Sequence, residues 1–452
     1  MKVVIIGNGK VGSSLSSLLA REGHDVTVID NKAEALKKTQ YTQDIMCIEG
    51  NGATVDTQKE AGADKAGLVI ACTAHDELNI LCCLVAKKLG AQKTISRVRN
   101  PEYFRQMDLI RDDLGLSMVI NPEWIAAEEI SRILIFPAAA KVEVFEKGKV
   151  ELVEHKLSDN SPICGMSLAE IYKRHKIKFL ICAVQRNSNI LIPGGDFILR
   201  SGDRINIAAS HNDLEKFFMQ IGMFINKVKT VMIIGGGRVC YYLASLLINV
   251  GMKVKIVEKN LERCKELAEK LPKASIINGD GTDQELLMEE GIAEADSFVA
   301  LTGIDEENIL ISMFAKKSSN AKVIVKINRD NYSDLAAELG LDCLISPKYL
   351  TTSSILSYVR SLKNTSGSNI ESLYHLVGNQ VEAIEFRVGT RIPDLVGIPL
   401  KDVKLKRDIL ICAIIRKRHV IIPNGNDSIE IGDSVVVISK EHQFSEIEDI
   451  LD

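Results

Sequence analysis

The sequence is short of most features that mark membrane, secreted or nucleic-acid-binding proteins. No run reaches the roughly 18 consecutive apolar residues of a spanning helix. The opening MKVVIIGNGK carries only four consecutive apolar residues before its first glycine, too few for the core of a signal peptide. Such a chain meets a membrane only from outside the bilayer. Basic excess is missing too: 56 Lys and Arg face 60 Asp and Glu, a net charge of −4, so nucleic acid is not an expected partner. The ten cysteines form no CxxC, CxxxC or Cys/His ladder, the pattern of reduced thiols packed as small hydrophobes. The expectation is a cytosolic protein without a structural metal.

What is present is a folded composition, 46% apolar and 26% charged, over 452 residues, enough for two to four domains. A duplication organises it. VVIIGNGKVGSSLSSLLAREGHDVTVID (Val3 to Asp30) recurs as VMIIGGGRVCYYLASLLINVGMKVKIVE (Val231 to Glu258), a shift of 228 residues. Gly50-Asn51-Gly52 pairs with Gly279-Asp280-Gly281, and CTAHDELNIL (Cys72 to Leu81) with LTGIDEENIL (Leu301 to Leu310), both at a shift of 229. LICAVQRNSNILIP (Leu180 to Pro193) pairs with LICAIIRKRHVIIP (Leu410 to Pro423) at a shift of 230. The chain is two copies of one unit.

Each copy opens with short β-branched runs, in the first copy VVIIG, DVTVID, DIMCIEG, LVIACT, KTISRV and LSMVIN. Amphipathic stretches such as Val11 to Arg21 and Glu77 to Leu89 separate them, which predicts a Rossmann-like, doubly wound parallel sheet. After Pro122 comes a helical stretch, Trp124 to Ile135, then the hairpin-like strands VEVFE, ELVEHKL, LICAVQR, ILIPGG and RINIAAS. Turns at Gly202-Asp203 and Gly432-Asp433 precede the last strand of each copy. This second part predicts a small α+β module. The boundaries expected are 1–135 and 226–365 for the Rossmann-like domains, and 136–225 and 366–452 for the small ones, with the polar segment 361–369 as a linker.

The strongest chemical signal is Gly7-Asn8-Gly9-Lys10-Val11-Gly12 between the first strand and a helix start. The first glycine allows the tight turn, the second lets backbone approach a pyrophosphate, and the third permits close helix–sheet packing. Asp30 ends the second strand, placed to accept ribose hydroxyls and to repel a 2′-phosphate, which favours NAD(H) over NADP(H). No Ser or Thr follows Lys10 in a GK[ST] pattern, so a P-loop is excluded. Copy two reads Gly235-Gly236-Gly237-Arg238-Val239-Cys240, with Glu258 in the place of Asp30. Cys240 is larger than the glycine it replaces and is expected to push the helix away and weaken a dinucleotide site. A dinucleotide, a mononucleotide and no ligand are all open for this copy. Lys10 and Arg238 sit on the phosphate side of their loops, where a solvated surface cation is nearly as good a reading.

Ligands of such sheets lie beyond the carboxyl ends of the strands. That adds Gly50, Asn51 and Gly52, with Asp280 opposite Asn51, then Thr73, Ala74 and Asp76, where small residues leave room for an adenine or a ribose. Arg97 ends the fifth strand and reaches either a phosphate or an ion-pair partner. Glu123 is a further rim carboxylate, and its counterpart in copy two is Lys348.

The duplicated GNGKVG and GGGRVC units, the two GD turns and TAHDELNIL resemble the tandem RCK (KTN) family, the TrkA-type peripheral subunits of bacterial and archaeal Trk potassium uptake systems. The resemblance spans essentially the whole chain. It implies a cytosolic ring, a homotetramer, under a TrkH-like potassium-translocating membrane subunit, binding NAD(H) and, in relatives, ATP or ADP. Carried over by position, the dinucleotide contacts fall on Gly7 to Val11, Asp30, Thr73, Ala74 and Arg97, and on Gly235 to Val239 and Glu258. The departures are Cys240 and Lys348.

An NAD-linked oxidoreductase with duplicated domains is the competing reading. It needs a proton donor or acceptor at the substrate carbonyl. His75 is the histidine nearest the presumed pocket, but copy two has Ile304 there. Tyr172 and Lys176 have YxxxK spacing, though in the small module and at a frequency chance supplies. A redox-sensing transcription factor is weaker still, with no evident basic helix-turn-helix. The expectation is a non-catalytic regulatory subunit.

Overall fold

The computed structural model describes residues 1–452 apart from 43–44, 136–140, 146–148, 188, 223–227, 330, 342, 363–367, 377–379, 390–391, 418, 441–443 and 445. The boundaries expected near 135, 225 and 365, and most of the polar segment 361–369, fall outside the described residues. Two compact units are present, Met1–Ala127 with Ser346–Thr352, and Glu128–Ile345 with Ser353–Asp452.

The first unit follows the alternating pattern of its sequence. Its elements are β1 (Lys2–Ile6), α1 (Lys10–Arg21), β2 (Asp25–Asp30), α2 (Ala33–Thr42), β3 (Met46–Glu49), α3 (Val55–Glu60), β4 (Leu68–Ala71), α4 (Asp76–Leu89), β5 (Lys93–Arg97), α5 (Pro101–Ile110) and β6 (Met118–Ile120), with the start of α6 (Pro122–Ile135). The strands lie in the order β3-β2-β1-β4-β5-β6, and every pair is parallel. Val3, Val4 and Ile5 on β1 and Leu68 and Val69 on β4 are fully buried. A strand covered on both faces needs a continuous apolar run, which is why VVII and LVIA carry no alternation. The chain reverses its direction of strand addition between β1 and β4, so the loops after these two strands splay apart into a crevice.

In the second unit, the first small domain has β7 (Lys141–Phe145), β8 (Val150–Lys156), α7 (Leu168–His175), β9 (Phe179–Arg186), β10 (Asn189–Leu191), β11 (Arg204–Ala209) and α8 (His211–Gln220). Its antiparallel sheet runs β10-β9-β11-β8-β7. Ser167 and Glu170 close a reciprocal capping box at the start of α7.

The second Rossmann-like domain repeats the first: β12 (Thr230–Ile234), α9 (Arg238–Asn249), β13 (Lys253–Glu258), α10 (Leu261–Lys270), β14 (Ser275–Asn278), α11 (Gln284–Glu289), β15 (Ser297–Ala300), α12 (Asp305–Ser318), β16 (Lys322–Lys326), α13 (Asn331–Glu338), β17 (Cys343–Ile345) and α14 (Pro347–Leu362). Its sheet runs β14-β13-β12-β15-β16-β17, again parallel. The last domain has β18 (Ser368–Leu376), β19 (Val381–Val388), β20 (Ile409–Arg416), β21 (His419–Ile421) and β22 (Ser434–Ser439) in the order β18-β19-β22-β20-β21. A single 3-10 turn, Leu400–Asp402, stands where the first copy has α7.

The two small domains share a core. Phe145, Val150, Leu152 and Cys182 from one sheet pack with Leu376, Val381, Cys412 and Val436 from the other. Phe145 meets Tyr374 edge-on at 5.0 Å. Each GD turn is an anchor: Gly202 and Gly432 take the left-handed conformation, at φ 81° and 89°. The following Asp203 and Asp433 are buried and bind Arg186 and Arg416 through two nitrogens each. Among the described residues no helix is long and apolar enough to cross a membrane, and no group of His, Cys, Asp or Glu is arranged to hold a metal.

Candidate nucleotide-binding site

Both glycine loops fold as the sequence requires. Gly7 turns at φ +101° against the Cys72–Thr73 backbone, where a Cβ would lie 2.9 Å from the Thr73 nitrogen. Gly235 does the same at φ +95° against Leu301 and Thr302. Gly9 and Gly237 are the N-caps of α1 and α9, exposed, with nothing within 4 Å of an added Cβ. Neither cap uses a side chain, and neither helix has an acidic residue in its first turn. Uncapped amides and the positive end of the helix dipole therefore face open space, as a pyrophosphate requires. Lys10 and Arg238 are exposed at the first position of these helices, and Val11 and Val239 are buried beneath them.

The third glycine differs in consequence. A Cβ on Gly12 would stand 1.9 Å from the Gly7 carbonyl oxygen and 3.1 Å from Cys72 Sγ. Cys240 occupies this place in copy two and is fully buried. The helix start is nonetheless the same: Gly237 has φ −68° and ψ −172°, Gly9 has φ −73° and ψ −166°. The N-cap backbone therefore takes one conformation in both copies. Leu301 stands where copy one places Cys72, so the space beneath the loop is shared out differently.

The strand-end carboxylates hold the loops. Asp30 accepts the N–H of Asn8 at 2.6 Å and of Lys32 at 3.0 Å. Glu258 accepts the N–H of Gly236 at 2.6 Å and of Asn260 at 2.8 Å. Each carboxylate keeps lone pairs for ribose hydroxyls while fixing the loop that carries the pyrophosphate. The middle loop residues diverge. Asn8 is buried and donates to the Ala35 carbonyl and Thr39 Oγ1. In copy two the direction is reversed, and Arg263 Nε donates to the Gly236 carbonyl at 2.6 Å.

Gly52 and Gly281 are small for an internal reason. A Cβ on either would strike the strand residue behind it, Ile6 at 2.2 Å or Ile234 at 2.1 Å. Asn51 and Asp280 are exposed and cap their own turns, Asn51 through the Ala53 amide and Asp280 through the amide and hydroxyl of Thr282. Those bonds hold the Asp280 carboxyl below its ordinary range.

Thr73 and Arg97 meet each other: an Arg97 guanidinium nitrogen donates to the Thr73 carbonyl oxygen. Burial lowers the Arg97 pKa, and its Nε is buried with no partner. Ala74 is exposed beside them. Asp76 turns inward and accepts the N–H of Arg99 and of Asn100 at 2.8 and 2.7 Å, so it is an anchor for the loop after β5 and not a rim group. Glu123 pairs with Arg99 at 2.6 Å. His75 is exposed at the N-cap of α4. Tyr172 accepts the Ile181 amide at 2.9 Å in the small domain.

Sequence reasoning missed Asn79 and Asn308. Both are fully buried and bridge the ends of two adjacent strands. Their signal was available: DELN and DEEN preserve an Asp and an Asn three apart in two copies that otherwise differ widely.

The TrkA-N domain model matches residues 3–122 and again 231–347, and the TrkA-C domain model matches 152–222 and 383–452. The chain belongs to the TrkA family. It is 35% identical over the full length of both chains to the "Trk system potassium uptake protein TrkA homolog" of Archaeoglobus fulgidus. It is 34% identical, over 99% of each chain, to the "Trk system potassium uptake protein TrkA homolog 1" of Methanosarcina mazei. Among solved structures, the "GsuK channel bound to NAD" superposes with a TM-score of 0.63 at 16% identity, covering 97% of this chain and 76% of that one. The same channel bound to ADP gives 0.52 at 14%, covering 80% and 70%. At that identity the likeness concerns the RCK fold, which this TrkA-family chain carries twice.

Proposed function

We propose that this TrkA-family chain is a nucleotide-binding regulatory subunit of potassium uptake, whose bound NAD(H) or ADP/ATP sets the state of a potassium-translocating membrane protein. The observation that carries the reading is the pair of uncapped, acid-free helix starts at Gly9 and Gly237, each locked to a strand-end carboxylate. Two such clefts in one chain give a ligand two places to act. A ligand shifts a conformational equilibrium only by its differential affinity for the two states, typically about 1–3 kcal/mol of coupling. That range is enough to gate a transporter.

The finer reading is a cytoplasmic homotetramer of eight RCK units bound peripherally at a TrkH-like subunit, with the four domains divided near residues 135, 225 and 365. NAD(H) enters the first cleft through Gly7 to Val11, Asp30, Thr73, Ala74 and Arg97. The second uses Gly235 to Val239, Glu258 and Asp280. No catalytic role is assigned. His75 is exposed, and the Tyr172 hydroxyl accepts the Ile181 amide within the small domain.

Calorimetric titration of the purified chain with NADH and with ADP tests this reading. The expected result is saturable binding with no sustained NADH oxidation against a panel of small carbonyls. Turnover with any of them would favour the oxidoreductase.

A further inference from the structure

The loop after β4 is part of the proposed first cleft, yet Thr73 has little left to give a ligand. Its N–H and its hydroxyl both donate to Asn79 Oδ1, each at 2.7 Å. Its carbonyl accepts from Asn79 Nδ2 at 3.3 Å and from Arg97. The same Asn79 amide donates to the Arg97 carbonyl at 2.9 Å. One fully buried side chain thus fixes the loop after β4 to the end of β5, the two places from which Ala74 and Arg97 approach the cleft.

Copy two repeats the bonds of the carboxamide to backbone, while the Thr302 hydroxyl donates to the Ile304 carbonyl at 3.1 Å and Lys326 Nζ to the Leu301 carbonyl at 3.1 Å. Thr302 N–H donates to Asn308 Oδ1 at 2.9 Å, and Asn308 Nδ2 donates to the carbonyls of Thr302 and Lys326 at 3.3 and 3.0 Å. Around it the copies differ: Arg97 against Lys326, Cys72 against Leu301, Ala74 against Gly303. A carboxamide is the one small side chain with an acceptor and a two-proton donor in one plane, which this bridge uses in full.

We infer that Asn79 and Asn308 are positioning residues for nucleotide binding. Each holds the β4 and β5 strand ends in the ligand-ready arrangement, and each acts only on the cleft of its own copy. The inference rests on the proposed function, since it presumes that the clefts bind nucleotide.

The test uses the full chain, with NADH as probe. Asn79→Ala should weaken first-cleft binding at least tenfold and leave the second-cleft isotherm unchanged, and Asn308→Ala should do the reverse. Asn79→Asp is isosteric and keeps the acceptor for the Thr73 N–H and hydroxyl, but it turns an oxygen toward the Thr73 and Arg97 carbonyls in place of the donor. It should weaken first-cleft binding at least as much as Asn79→Ala. Melting curves recorded in parallel identify the folded fraction, and affinity is read on that fraction only. A variant that melts earlier yet binds with wild-type affinity would reduce Asn79 to a stabilising contact and overturn the inference. Loss at both clefts from one substitution would overturn it as well. Failure of the wild-type chain to bind NADH or ADP at all would instead sink the proposed function.

Discussion

The carboxylate of Asp30 accepts the backbone N–H of Asn8 at 2.6 Å, tying the end of β2 to the glycine loop after β1. Glu258 reaches the N–H of Gly236 at the same 2.6 Å with one more methylene. A residue expected only to meet a ribose therefore also shapes the loop. Asp30→Ala should lower NADH affinity at the first cleft about 10- to 100-fold, as the loss of a charge-assisted bond of about 1.5–3 kcal/mol implies. Calorimetry measures it, and unchanged affinity would remove Asp30 from the site.

Gly12 gives a second prediction. A Cβ there lies 1.9 Å from the Gly7 carbonyl oxygen, a contact only backbone movement relieves. Gly12→Ala should destabilise the first unit by about 1–3 kcal/mol and abolish its NADH binding. Cys240→Gly, at the matching position, should leave the second helix start in place, because Gly237 and Gly9 already share one conformation. Equal effects of the two substitutions on binding would contradict this.

The small domains predict a pH dependence. Asp203 is buried, which alone would raise its pKa, but the Arg186 side-chain bonds and the Arg200 amide outweigh that and hold the carboxyl below its ordinary range. The stabilisation is therefore complete above the unfolded aspartate value of about 3.9 and is lost as the pH falls through the lower folded value. Asp203→Asn should cost about 3 kcal/mol at pH 7, and its stability should vary less with pH below 4 than that of the wild type. Urea midpoints at pH 7, 4 and 3 report both.

Much of the parallel architecture was legible because doubly buried strands must be continuously apolar: VVII and LVIA could be little else. The glycine loop was legible because its chemistry is backbone chemistry. The anchoring roles of Asn79 and Asp76 went unread although their spacing recurs in both copies, since side chains that bind distant backbone leave no periodic trace in a sequence. Gly52 looked like room for a ligand, and is small because Ile6 stands behind it. Helix α7 carried a readable start in Ser167 and Glu170, but its eight residues were too few to stand out by periodicity.

Thiol chemistry should be silent at the buried cysteines of the native chain. Burial pushes Cys72 up to about 11 and Cys82, Cys182 and Cys240 up to about 12. At pH 8 their alkylation by iodoacetamide should be slower than that of an unperturbed thiol by about 100-fold or more. Peptide mass spectrometry after timed labelling checks this. Rapid labelling of Cys72 or Cys240 would point to a redox role beneath the glycine loops.

The central claim is regulatory control of potassium entry, and rubidium uptake at low external potassium tests it most directly. Cells that lack the chain should lose rapid uptake, wild-type chain should restore it, and Asp30→Ala should restore it with altered rate. Uptake that is the same with and without the chain would contradict the account.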